Sequence, residues 1–184
     1  MKISVVSNHG NHPAHALVVF ARHIQRHDFI CHISTAVPKD QAGRVTGAAA
    51  SILRPAETVS GVFRIFERHG EVGLIYPEPH RDIPYWKYTW PPDAGAAAML
   101  HDRLGIKEDV SGYVDVPFES VFWARVRAIE PLLALRSSCK DLVRRMIETG
   151  GGLAPTMEKS LVPVLRSRGM TFSEISAARN TYTI

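Results

Sequence analysis

Cysteine is scarce: the 184 residues hold only Cys31 and Cys139, far apart and with no partner at metal-ligand spacing. That leaves no material for a disulfide framework or a zinc knuckle, and both read as small buried apolar side chains. Long apolar runs are missing too. No stretch of about 18 uncharged apolar residues occurs, and the opening MKISVVSNHGNHPAHA lacks the apolar core of a signal peptide, so the expected location is the cytoplasm. No basic stripe is interleaved with aromatics, which argues against nucleic acid as a partner. His9, His12 and His15 are spaced by three and His23 and His27 by four. No Asp or Glu accompanies the first group and Pro13 interrupts it. Surface or hydrogen-bonded histidines are therefore expected there, and no metal site.

What is present is ordinary for one globular domain: 45% hydrophobic and 22% charged residues, enough chain for a real core and too little for two full-sized domains. The net charge is +4 and the pI near 9.3. Lys140, Arg144 and Arg145 form the densest basic spot, followed by Lys159, Arg166 and Arg168. Such a bias suits an anionic ligand, for instance a sugar nucleotide, or loose attraction to an anionic membrane face.

Apolar periodicity gives strands over Lys2 to Ser7, Phe29 to Ile33 and Val72 to Tyr76, with one or two more between Tyr113 and Trp123. Helical spacing appears over Ala14 to His27, Ala56 to His69, Ala94 to Leu104, Arg127 to Leu135, Lys140 to Glu148 and Pro155 to Arg168. Lys2 to Ser7 reads as a strand buried on both faces, and if it and Phe29 to Ile33 are parallel neighbours in one sheet, the crossover between them is right-handed. Between Pro77 and Pro92 runs a loop with five prolines and the aromatic stretch Tyr85-Trp86-Lys87-Tyr88-Thr89-Trp90, long enough to suggest a task.

Two segments stand out chemically. Asn8-His9-Gly10 falls where a strand's carboxyl end meets a helix start, an edge that favours phosphate, although the same residues also make a simple turn. Phe118 to Arg125 places aromatic bulk, Glu119 and Arg125 on a strand and its exit. Aromatic faces pack on sugar rings and Arg neutralises a diphosphate; a core strand ending in Arg is the alternative.

The segment Pro117 to Leu132, PFESVFWARVRAIEPL, resembles the G-S-M-F-W-A-R-P-E-A-L stretch of the rhamnan synthesis protein F family through Ser120, Phe122, Trp123, Ala124, Arg125 and Ala128. Val6 to Gly10 followed by Leu17 is similar to that family's V-E-N-R-G-R-D-x-x-P-F-L, and Asp28 to Ile33 to its Y-D-Y-I-C-K-I. Glu71 to Glu78 is similar to its strand before the long loop, and Leu153 to Lys159 to its D-G-T-L-A-H-A-L-E-R helix.

The resemblance implies a glycosyltransferase that takes a nucleotide-sugar donor such as dTDP-rhamnose and extends a cell-surface saccharide, a rhamnan or O-antigen. It works in the cytoplasm or at the inner face of the membrane. The implied fold is a Rossmann-like, glycosyltransferase A-type partial sandwich with a mainly parallel sheet flanked by helices. The expected site is Glu119 as base, with Asn8, Gly10, Ser120, Phe122, Trp123, Arg125 and Glu158 binding substrate. No cofactor beyond the donor is implied, and a divalent metal is left open.

Departures are equally concrete. His12 stands where the family has Asp, Ser34-Thr35-Ala36-Val37 where it has H-T-K-K, Glu119 where it has Gly, and Gly150 where it has Asp. Family members also carry elements ahead of the N-x-G turn, so residues 1–184 are expected to form one partial domain without the first nucleotide-binding half. A homodimer or partner subunit would then cover the exposed sheet. Two other readings follow: a non-catalytic remnant that binds a saccharide or partner, and an unrelated basic binding module.

Overall fold

The computed structural model describes residues 14–34, 42–53, 56–78, 89–90, 94–117, 120–138, 153–176 and 181–183. In chain order these form α1 (Ala14–Val19), α2 (Ala21–Ile24), β1 (Phe29–His32), α3 (Ala42–Leu53), α4 (Ala56–Arg68), β2 (Val72–Pro77) and α5 (Ala94–Leu104). They continue with β3 (Phe122–Arg125), α6 (Val126–Ser138), α7 (Leu153–Lys159), α8 (Leu161–Ser167), β4 (Thr171–Ser176) and β5 (Thr181–Thr183).

The strands form one sheet in the order β1-β3-β2-β4-β5. Strand alternation sends Leu74, Tyr76, Phe122 and Ala124 into a core shared with α1, α2, α5, α6, α7 and α8. Ile75, Val121 and Ile175 go to the opposite face, where Ile52 of α3 and Val62, Ile65 and Phe66 of α4 cover them. The architecture is thus α/β, with helices on both faces of the sheet. Val72 joins Ile75 on the second face because the β2–β4 register shifts between Val72 and Leu74.

The sheet is mixed, which corrects the expectation of a mainly parallel one. β3 runs antiparallel to both β1 and β2, β4 antiparallel to β5, and only β2 and β4 pair in parallel. The misreading has a physical cause. A strand covered by helices on both faces is apolar throughout whichever way its neighbours run, so composition reports coverage and not direction.

Gly73 is where the layers come closest. A Cβ there would lie 2.7 Å from Ala128 Cβ and would also strike Leu165, so α6 and α8 reach β2 only because this residue has no side chain. Helix α5 ends as its sequence suggested: Gly105 takes φ +68 and the Ile106 amide donates to the His101 carbonyl at 2.9 Å. The helix expected over Pro155 to Arg168 is two helices that meet at Ser160. Pro163 has no amide to give to the Lys159 carbonyl, while Ser160 still donates to Thr156 and Val164 to Ser160, so the helical run is interrupted at one residue without opening a loop.

The strand expected over Lys2 to Ser7, the helix over Lys140 to Glu148 and the aromatic run Tyr85 to Tyr88 lie outside the described residues. Of that loop, Trp90 is fully buried against Ala97 and Val114, so it serves the core.

Candidate functional site

Strand β3 carries the F-W-A-R segment, and its two ends differ. At the entrance, Ser120 holds φ +51, a left-handed conformation that costs a non-glycine residue about 1–2 kcal/mol. Both of its backbone polar groups are held. The Ser120 amide donates to Glu158 Oε1 at 2.9 Å, and its carbonyl accepts from His32 Nδ1 at 2.7 Å. A carbonyl only accepts, so Nδ1 carries the imidazole proton and Nε2 is the basic nitrogen. The His32 ring lies 5.0 Å from the Phe122 ring at 12°, which fixes its plane. Two of the segments that carry the family resemblance, 117–132 and 153–159, thus meet through the bond between Ser120 and Glu158.

At the exit, Arg125 is committed to the backbone. Its Nε donates to the Val72 carbonyl at 2.8 Å, and Nη2 donates to the Phe66 carbonyl and, at 3.4 Å, to that of His69. The guanidinium also sits 5.2 Å from the Phe29 ring centroid and 5.0 Å from that of Phe66. It gathers the C-terminus of α4 and the start of β2 by adding a charged donor to their carbonyls. Trp123, half-buried, packs its ring 5.4 Å from Phe63 and donates Nε1 to the Ile52 carbonyl at 3.2 Å. Phe122 is 1% exposed and belongs to the core.

Of the eight residues expected to act, the structure joins Ser120, Phe122 and Glu158 in one cluster and places Trp123 and Arg125 further along the same strand. Asn8, Gly10 and Glu119 lie outside the described residues. Sequence reasoning missed His32. The signal available was its place at the end of the Y-D-Y-I-C-K-I-like strand, whose register sets it opposite Phe122.

Beside the exit end lies an open groove of about 440 Å³ lined by Gln25, His27, Asp28, Arg125, Arg127 and Glu130. Burial, and then the neighbouring Arg127 charge, lower the Arg125 pKa from its ordinary value. Arg127 reaches the Gly70 carbonyl at 2.9 Å, and Glu130 lies 3.5 Å from Arg168. Two guanidiniums and two carboxylates on one groove match a ligand that presents both anionic oxygens and hydroxyl donors.

A second polar cluster lies at the carboxyl end of the β2–β4 parallel pair. Burial, aided by Glu78 and Asp115, raises the Glu174 carboxyl above its usual range. Arg166 bridges Glu108 at 3.1 Å and Asp115 at 2.5 Å and lies over Phe172, so this cluster ties α8 to the loop before β3.

Cys31 is half-buried and its thiol is pushed up to about 12 by burial, which leaves it unreactive near neutrality. Among the described residues, no group of three or more His, Cys, Asp or Glu is arranged to hold a metal ion. No helix among them is long and apolar enough to cross a membrane. No protein-family model, curated protein or solved structure matches the chain.

Proposed function

We propose that the chain is a glycosyltransferase of the rhamnan synthesis protein F type, which transfers a sugar from a nucleotide-sugar donor such as dTDP-rhamnose to a growing cell-surface saccharide. The observation that carries this reading is the mixed groove at the exit of β3. Its Arg125 belongs to the segment that resembles the family, Arg127 supplies a second cation, and Asp28 and Glu130 supply acceptors for sugar hydroxyls. The bond between Ser120 and Glu158 adds support, because it joins two independent parts of the resemblance. The Rossmann-like, glycosyltransferase A-type classification and a site of action at the inner face of the membrane belong to the same reading.

In the transfer, the acceptor oxygen forms a bond to the anomeric carbon while the bond from that carbon to the diphosphate oxygen breaks. The nucleoside diphosphate leaves with the electron pair, and a base takes the hydroxyl proton. Arg127 and the field of Arg125 stabilise the departing charge.

One observation favours a second reading, in which the chain binds saccharide without transferring it. The polar groups of Arg125 and Trp123 are largely spent on backbone carbonyls. Release of dTDP from dTDP-rhamnose with a rhamnose-terminated oligosaccharide tests both. Release coupled to glycan growth, cut at least about tenfold by Arg127→Glu, a loss of about 1.4 kcal/mol in transition-state binding, supports the transferase. Saccharide binding with neither donor binding nor release supports the second reading.

A further inference from the structure

The loop between α5 and β3 is fastened to α8 through Arg166. That guanidinium donates to Glu108 Oε1 at 3.1 Å and to Asp115 Oδ2 at 2.5 Å, so it grips the loop at two separate points. It is steadied from the sheet side. The guanidinium carbon lies 5.8 Å from the Phe172 ring centroid, and Phe172 stacks on Tyr76 with centroids 5.3 Å apart at 24°. Cation and rings thus form a column that runs from the loop down to β4 and β2.

Glu174 stands beside that column. The β2–β4 register sets it opposite Tyr76, whose hydroxyl is its hydrogen-bond neighbour. Strand alternation puts Glu174 on the face of Phe172, while Ile175 turns to the face that α3 covers. The charged groups that face it there are Glu78, just past the end of β2, and Asp115 of the loop, both carboxylates. β5 sets the uncharged Thr183 opposite it. From α8, Arg166 faces Asp115, Glu108 and Tyr76. An ionised Glu174 therefore repels Asp115, one of the two carboxylates through which Arg166 holds the loop, and a neutral Glu174 does not.

We propose that Arg166 and Glu174 form a pH-operated latch: with Glu174 neutral the guanidinium holds the loop on α8, and as Glu174 loses its proton Asp115 is driven off and the loop is released. Burial, and then Glu78 and Asp115, raise the Glu174 carboxyl above its ordinary value of 4.5. Its contribution to the closed latch is complete below that ordinary value and is lost as pH rises through the raised one. The loop ends at Pro117, whose carbonyl accepts from the Ser120 amide at 3.2 Å, so its release reaches the turn at the entrance of β3. The latch rests on these contacts and not on the transferase reading.

The test is amide hydrogen exchange of the full chain at the buried Val114 and Val116, followed from about pH 4.5 to about pH 8.5 and corrected for the intrinsic rate. Glu174→Gln keeps the size of the side chain and cannot ionise. It should protect these amides at least about threefold better than the parent at the alkaline end and equally in acid. Glu78→Gln leaves the Arg166 contacts intact and should move the parent's loss of protection to lower pH. Arg166→Gln should reduce protection at both ends of the range. The Glu174 carboxyl carbon resonance should titrate at the midpoint of the parent's loss of protection. The buried His101 titrates in the opposite sense, but it is common to the parent and Glu174→Gln, so their ratio cancels it.

Glu174→Gln no better protected than the parent at the alkaline end would overturn the proposal. So would a Glu174 carboxyl that titrates at or below 4.5, or loop protection that Arg166→Gln leaves unchanged.

Discussion

The two ends of β3, four residues long, are built on opposite principles. At the exit, Arg125 fastens its surroundings by donating to backbone carbonyls at the end of α4 and the start of β2. At the entrance, Ser120 stores strain that Glu158 and His32 must hold in place. A fold gains stability from the first arrangement, while the second makes sense only if the orientation it enforces is used. The comparison teaches that the residue with the most obvious binding chemistry, Arg125, is largely a fastener, and that the less conspicuous serine turn is where the chain aims a side chain.

Breaking the fastener should cost the most. Arg125→Ala removes a charged donor from the Phe66 and Val72 carbonyls, while the His69 carbonyl keeps the Val72 amide at 3.1 Å, and should lower stability by about 3 kcal/mol in urea denaturation. Arg125→Lys should recover less than half of that, because an ammonium cannot reproduce the fork. The entrance should respond less. Glu158→Ala removes one of two acceptors of the Ser120 amide, the other being the Pro117 carbonyl at 3.2 Å, and should cost about 1 kcal/mol in the same measurement. Ser120→Gly relieves the left-handed backbone and should stay within about 1 kcal/mol of the parent, whereas Ser120→Val should lose about 2 kcal/mol, since a β-branched residue resists that φ. Equal effects of these two substitutions would show that the turn carries no strain.

Acid should loosen the two ends unequally. Ser160, two residues beyond Glu158, bonds through Oγ to Nε2 of the buried His101 at 3.2 Å. Burial lowers the His101 pKa below its ordinary value of 6.5, and the Glu108 backbone and carboxylate only partly offset this. The unfolded chain therefore takes up the proton first. The contribution of His101 to stability is complete above about pH 6.5 and is lost as pH falls from there toward the folded pKa. Hydrogen exchange at about pH 5 should accelerate around α7 and Ser120 more than around Arg125, and His101→Leu should flatten that pH dependence. Uniform acceleration would separate His101 from the entrance end.

Most helices of the described chain were legible in the sequence, because α4 and α5 carry an apolar stripe and end at Gly70 and Gly105. α3 was not. Its run of alanines around Gly47 offers few large apolar side chains, and it is held by Ile52 and by packing against α4 and the sheet. β4 was missed as well, since Thr171–Ser176 mixes polar and apolar residues and owes its place to pairing with β2. Strand direction left no trace in composition. For the site, the F-W-A-R segment drew attention to the correct strand, but spacing could not reveal that Arg125 would be spent on carbonyls 53 and 59 residues away. Nor could it place His32 against Ser120, 88 positions on. Those contacts arise from the pairing of β3 with β2 on one side and β1 on the other and exist only in the folded sheet.

The claim beneath this account is that the groove at the exit of β3 receives a nucleotide sugar. Backbone amide resonances recorded while dTDP-rhamnose is added test it most directly. The account predicts saturable shifts confined to Gln25, His27, Asp28, Arg127, Glu130 and their neighbours, abolished by Arg127→Glu. Shifts elsewhere on the chain, or none at saturating nucleotide, would contradict it.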